Sequence, residues 1–157
     1  MQYAPQNPSD PGHPDHDRYM NMRNMVERMH GESGIPANGD MNERATAAMF
    51  RAYKAEATRE NASLDPRAEV DGVVLSRGDV PGRYAIMYQG DPNNPTVRTL
   101  AVPTQDLTQP AERNFDEVNR INAQQGPQLV QAQVQEQARQ QGGQEQAPAQ
   151  IGSRSLF

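Results

Sequence analysis

The chain has 157 residues, no cysteine and a formal net charge of −5 at pH 7. The lack of cysteine excludes disulfides, thiolate catalysis and Cys-ligated zinc, and the lack of a basic patch argues against nucleic acid as a partner. The longest aliphatic run, Val73-Val74-Leu75, is too short to span a membrane, and residues 1–12 lack the apolar core of a secretory signal peptide.

Two amphipathic helices are predicted after a linker or leader over residues 1–12. In the first helix, apolar residues recur at helical spacing from Asp15 onward: Tyr19, Met22, Val26 and Met29. Asp40 is expected to cap the second helix, with Glu43 in the capping-box position. The second helix has an alanine-rich face, which allows close approach of a neighbour: Met41, Ala45, Ala48, Ala52 and Ala55.

Three runs of β-branched and aromatic residues follow, at 69–76, 83–89 and 96–102. The connections between them are too short for a parallel crossover, so antiparallel pairing is predicted. In the second run Tyr84 and Ile86 alternate with Ala85 and Met87, so one face of the strand can be buried. The result is a three-stranded meander, which needs a helix on one face to be stable.

A third helix is expected to pack on the sheet and supply that cover. Thr104 or Thr108 can cap it, Pro110 is tolerated in its first turn, and the helix should end near residues 124–126. Its apolar stripe is regular: Leu107, Ala111, Phe115, Val118 and Ile121. Twelve glutamines then occur between residues 124 and 150. We therefore predict an α+β domain over residues 13–124, monomeric, and a disordered Gln-rich tail over 125–157.

The stretch DPGHPDHDRY, residues 10–19, contains two of the three histidines. His13 and His16, with Asp15 between them, suggest a divalent-metal site, but Pro14 keeps His13 outside the helix. The favoured interpretation is a helix start, with Asp15 or His16 near the N-cap and His13 folding back. Since no phosphate loop or paired nucleophile and base is visible, we expect no cofactor and no catalysis.

Several stretches, in this order, resemble one known family. They are DPGHPDHDRY before the first helix, VDGVVLS as the first strand, YAIMYQGDPNNP as the second strand and its turn, and TLAVPTQDLTQPAERN leading into the third helix. With the Gln-rich end, they resemble the Xanthomonas vir-protein-interacting-protein conserved domain, XVIPCD, found at the C-terminus of antibacterial type IV secretion effectors. The resemblance covers roughly residues 10–124.

The resemblance implies a secretion signal that docks on the all-α domain of the VirD-type coupling ATPase of a type IV secretion system. The protein would then be cytoplasmic in the producing bacterium and be secreted into a rival one. Because the toxic activity of the family lies in a separate N-terminal domain, we expect an excised domain or an effector without its toxic part. The full-length effector would have a cognate immunity protein.

Two alternatives stay open. One is a small metal-dependent effector enzyme that uses His13 and His16, and its discriminating observation is stoichiometric metal in the purified protein. The other is an immunity or adaptor protein that remains in the producing cell, which gene neighbourhood would distinguish from an effector.

The family signature G-L-x-x-R-I-D is similar to SLDPRAEVD, residues 63–71, with Ser63 in place of Gly and two extra residues before the last pair. The HPDH stretch matches the family more closely. The resemblance thus implies partner-binding roles, or roles in holding the fold, for eight residues: His13, Asp15, His16, Tyr19, Leu64, Arg67, Val70 and Asp71. Arg67, Arg77 and Arg83, all near the first hairpin, can also meet acidic groups on a partner.

Overall fold

The structure, a computed structural model, describes residues 7–124 as three α-helices and a three-stranded antiparallel sheet. The elements are α1 (His16–Glu32), α2 (Gly39–Ala57), β1 (Gly72–Leu75), β2 (Tyr84–Gln89), β3 (Arg98–Pro103), a 3₁₀ helix η1 (Thr104–Thr108) and α3 (residues 111–124). The predicted α+β fold and meander are confirmed, with strand order β1-β2-β3. Residues 1–6 of the predicted leader and the predicted tail, 125–157, lie outside the described residues.

The cap of α2 is Asn38 rather than the predicted Asp40. The side chain of Asn38 accepts a hydrogen bond from the backbone N–H of Met41 at 2.8 Å, and its backbone is extended, as an N-cap requires. Asp40 lies in the first turn and forms an ion pair with Arg44. The prediction failed because both residues have a capping side chain, and only the backbone angles distinguish them.

One face of the sheet is buried and the other is open. Ala85, Met87 and Gln89 of β2 are buried, whereas the alternating Tyr84, Ile86 and Tyr88 are only partly covered. On the buried face, α1 packs against β1 and α2 packs against β3. The aromatic face of β2 is therefore the outward one, a choice that the alternation alone left open.

The third helix contacts both members of the helix pair, α1 and α2. Phe115 of α3 meets Tyr19 of α1 edge to face, with ring centroids 5.7 Å apart. Asn114 of α3 accepts a hydrogen bond from Nε of Arg51 on α2 at 2.9 Å. An apolar stripe predicts that one face of a helix is buried, as it is in α3, but it does not specify which elements the helix contacts.

The predicted caps of α3 serve other purposes. The Thr104 hydroxyl donates to the carbonyl of Gly82 at 2.9 Å, which joins the end of β3 to the β1–β2 connection. The Thr108 hydroxyl donates to the carbonyl of Gln105 at 2.9 Å, inside η1. Leu107, the first residue of the predicted stripe, is buried from η1 instead of from α3.

Candidate functional site

A polar cluster with a buried centre, which we call the clasp, surrounds the start of α1. It consists of His13, Asp15, Lys54, Asn119 and Asn122. The Lys54 ammonium donates to Oδ1 of Asp15 at 3.1 Å, and the Asn122 amide donates to Oδ2 at 2.9 Å. The side chains of Lys54 and Asp15 are 0% and 1% exposed. The clasp therefore joins the start of α1 to both α2 and α3 through one buried carboxylate.

Lys54 is the single lysine of the chain. Burial lowers its pKa below the usual range, and the nearby Asp15 carboxylate opposes that shift. An ammonium taken out of water is tolerated only where an opposite charge and hydrogen bonds compensate for the lost hydration. Asp15 supplies that compensation, so its carboxylate is engaged with Lys54 and Asn122 and does not cap its own helix.

His13 folds back over the start of α1, as the favoured interpretation predicted. Its Nδ1 accepts a hydrogen bond from the backbone N–H of Asp15 at 2.9 Å. A backbone N–H can only donate, so the ring proton is on Nε2, which donates to Oδ1 of Asn119 at 2.8 Å. His16 points elsewhere and bonds the carbonyl of Pro8 through Nδ1 at 3.0 Å. Within residues 7–124, no three His, Cys, Asp or Glu side chains are grouped so that they could hold a metal ion.

A second cluster holds residues 63–71, which we call the signature segment. The single proton of the Tyr53 hydroxyl is shared between the carbonyls of Pro66 and Ala68, whose oxygens lie 3.1 and 3.2 Å from the hydroxyl oxygen. The Arg18 guanidinium donates to the Tyr53 hydroxyl at 2.8 Å and to the carbonyls of Ala68 and Arg67, each at 3.2 Å. Two buried side chains of the helix pair thus satisfy three consecutive carbonyls of this loop.

Gln89, at the end of β2, holds the same segment from the sheet. Its Oε1 accepts from the backbone N–H of Asp65 at 2.7 Å, and its Nε2 donates to the carbonyls of Asp65 and Ala68 at 2.9 and 3.1 Å. The Glu56 carboxylate accepts from the backbone N–H of Ser63. Because helices and sheet both bond its backbone, the segment has a defined shape although it is neither helix nor strand.

The structure buries five of the eight residues that the resemblance singled out: His13, Asp15, Tyr19, Leu64 and Val70. Tyr19 lies between the rings of Phe50 and Phe115, each centroid 5.7 Å away. Burial raises the pKa of Tyr19, and its hydroxyl has no hydrogen-bond partner among the described residues. Buried side chains offer no contact surface in this conformation, so these five shape the domain from within.

The other three predicted residues reach the surface. His16 is half-buried, and Arg67 and Asp71 are exposed. Asp71 lies just before β1, where its Oδ2 accepts from the backbone N–H of Gly90 at 2.6 Å. Arg67 has its N–H bonded to Oδ1 of Asp65 at 2.9 Å and its carbonyl bonded to Arg18, so its guanidinium extends from a fixed backbone.

A groove at the far end of β1, around Leu75 and Arg77, was not predicted from the sequence. Its volume is about 970 Å³, and residues of α1, α2, β1, β2 and η1 line it, with Met29, Met41, Val74 and Leu107 among them. Arg77, which follows β1, also lines it. The sequence signal that could have indicated it is Val74, an apolar residue at the outward position of its strand. That signal is weak because single exposed apolar side chains are common.

These features define a small α+β domain in which helices cover one face of a meander and buried side chains hold an irregular segment at its end. The sequence matches the family described as X-Tfes, XVIPCD over residues 9–120, and the chain belongs to that family. It is a family of secretion-signal domains rather than catalytic ones, associated with type IV secretion effectors. Comparison with the curated proteins gives no match. None of the helices in residues 7–124 has the length and hydrophobicity to cross a membrane.

Proposed function

We propose that this chain is the translocation signal of a type IV secretion effector and that it docks on the all-α domain of the type IV coupling ATPase. The observation that carries the proposal is the family match over residues 9–120. In this proposal the coupling protein receives the effector in the cytoplasm of the producing bacterium and passes it to a rival cell. A cognate immunity protein would protect the producer from the full-length effector.

Arg67, Asp71 and His16 are the contact residues of this proposal, because each has exposed surface. Arg67 has the strongest physical case. Its backbone is held through Asp65 and Arg18, so docking would order only the side chain and would cost less conformational entropy than docking of a loose loop. His13, Asp15, Tyr19, Leu64 and Val70 would contribute indirectly, by keeping the signature segment and α1 in place.

Isothermal titration of the 157-residue chain against the purified all-α domain tests the proposal. We expect saturable binding, and an Arg67→Glu variant should bind about tenfold more weakly, which corresponds to about 1.4 kcal/mol. Arg113→Glu is the matched control, since Arg113 is an exposed arginine on α3, away from the signature segment. Absence of binding by the unmodified chain at high micromolar concentration would contradict the proposal. Circular dichroism of each variant would detect loss of the fold.

A further inference from the structure

The groove at the far end of β1 is where the largest exposed apolar side chains of the described residues come together. The exposed large apolar side chains of the described residues are Met41, Val74 and Val80, at 39%, 42% and 56%. Met41 and Val74 line the groove, and Val80 directly precedes Pro81, which also lines it. A concave surface with exposed apolar side chains at its edge is typical of a protein-binding site.

The groove lining includes one arginine that forms no ion pair within residues 7–124. Arg77 lines the groove, whereas Arg83 is outside the lining and lies over the ring of Tyr84, with the guanidinium carbon 5.6 Å from the centroid. Neither arginine forms an ion pair with another residue of 7–124, nor does Asp79, the carboxylate between them in the chain. The α1 side of the groove carries Glu32 and His30 instead. An occupant would therefore meet positive charge mainly on the hairpin side.

The edge of β1 is a poor template for an added strand. The N–H of Ser76 donates to the carbonyl of Tyr84, so by alternation the backbone of Val74 faces β2 while that of Val73 faces away. Val73 is only 5% exposed, which leaves its outward backbone groups covered. Side-chain packing into the groove is therefore favoured over strand addition, and a helix with an apolar face is the element that supplies it.

We propose that the groove receives an amphipathic α-helix of the coupling protein's all-α domain, oriented so that a carboxylate beside its apolar face meets Arg77. This inference rests on the proposed function and adds the surface and the chemistry of recognition. The volume of about 970 Å³ is at the upper end of the range for binding pockets, about 300–1,000 Å³, and accepts several side chains. Met41, Val74 and Leu107 provide its apolar contacts.

The test is a titration of full-length variants against the all-α domain. Val74→Asp should weaken binding at least tenfold, because it places a carboxylate among apolar side chains. Ala101→Asp is the matched control: Ala101 is exposed on β3, opposite Ile86 in the register, and does not line the groove. Arg77→Glu should weaken binding about fivefold and flatten its salt dependence, whereas Arg98→Glu, an exposed arginine on β3, should change neither.

Each other result overturns the inference. If Val74→Asp binds as tightly as the unmodified chain, or if Val74→Asp and Ala101→Asp weaken binding equally, the groove is not the docking site. The proposed function stands in either case. Absence of binding by the unmodified chain would contradict both the groove inference and the proposed function. A dimer that Val74→Asp dissolves in sedimentation assigns the groove to a second copy. Tighter binding after deletion of residues 125–157 assigns it to that segment. Thermal melts verify folding, since Val74 is exposed enough for Asp to be tolerated there.

Discussion

The two ends of β1 differ in how they use their polar groups. Before β1, the signature segment has its backbone bonded by Arg18, Tyr53 and Gln89, and the clasp nearby pairs its buried carboxylate with Lys54. Beyond β1, the groove exposes Met41 and Val74 beside Arg77, which forms no ion pair among residues 7–124. The conspicuous residues of the sequence thus hold the fold at one end, while ordinary residues form the open surface at the other.

Removing the clasp lysine should have the largest effect on stability. Lys54→Met leaves the Asp15 carboxylate buried without its counter-charge, which should cost about 3–5 kcal/mol of unfolding free energy in urea denaturation. Asp15→Asn combined with Lys54→Met should recover much of that loss, because no unpaired charge remains. A groove variant such as Val74→Asp should cost far less. Equal losses of unfolding free energy for Lys54→Met and Val74→Asp would mean that the clasp stabilises the domain no more than the groove residues do.

Loosening the signature segment should have the next largest effect. Gln89→Ala removes three hydrogen bonds to the segment and leaves the backbone N–H of Asp65 without its acceptor, at about 1–3 kcal/mol. Hydrogen exchange at the Asp65 amide should accelerate more than exchange in α1. Gln105→Ala, an exposed glutamine in η1, is the control. If exchange at Asp65 is unchanged, Gln89 does not hold the segment.

Two tyrosines provide a matched pair for the same comparison. Tyr53→Phe removes a hydroxyl that bonds Pro66, Ala68 and Arg18, and should cost about 1 kcal/mol. Tyr19→Phe removes a buried hydroxyl that has no partner among residues 7–124, so stability should stay the same or rise. Thermal melts measure both. A larger loss at Tyr19 would contradict this comparison and show that its hydroxyl stabilises the fold.

The smallest predicted effect is a loss of stability at acid pH. Burial raises the pKa of Glu56, but hydrogen bonds from Ser63 and the Arg59 guanidinium outweigh it, so the folded pKa lies below the ordinary 4.5. A depressed pKa means that the charged form stabilises the fold above about pH 4.5, and that this stabilisation is lost as pH falls through the folded pKa. Melting temperatures from pH 7 to 3 should therefore fall less steeply for Glu56→Gln. Identical slopes would contradict the assignment.

The sequence by itself determined the elements and the family. Helical and alternating periodicities predicted three helices and three strands, and the short connections required antiparallel pairing. The order of the HPDH stretch, the strands and the third helix indicated the family that residues 9–120 then matched. These features are local, or depend on order along the chain, and so they are readable without a structure.

Only the tertiary structure decided how the elements meet. Asp15 joins Lys54 and Asn122, 39 and 107 residues away in the chain, and no local pattern marks such partners. The same holds for the position of α3 on the helix pair and for the outward aromatic face of β2. The groove is assembled from five separate elements, each ordinary in sequence. Burial and charge pairing depend on contacts between distant residues, and folding alone brings those residues together.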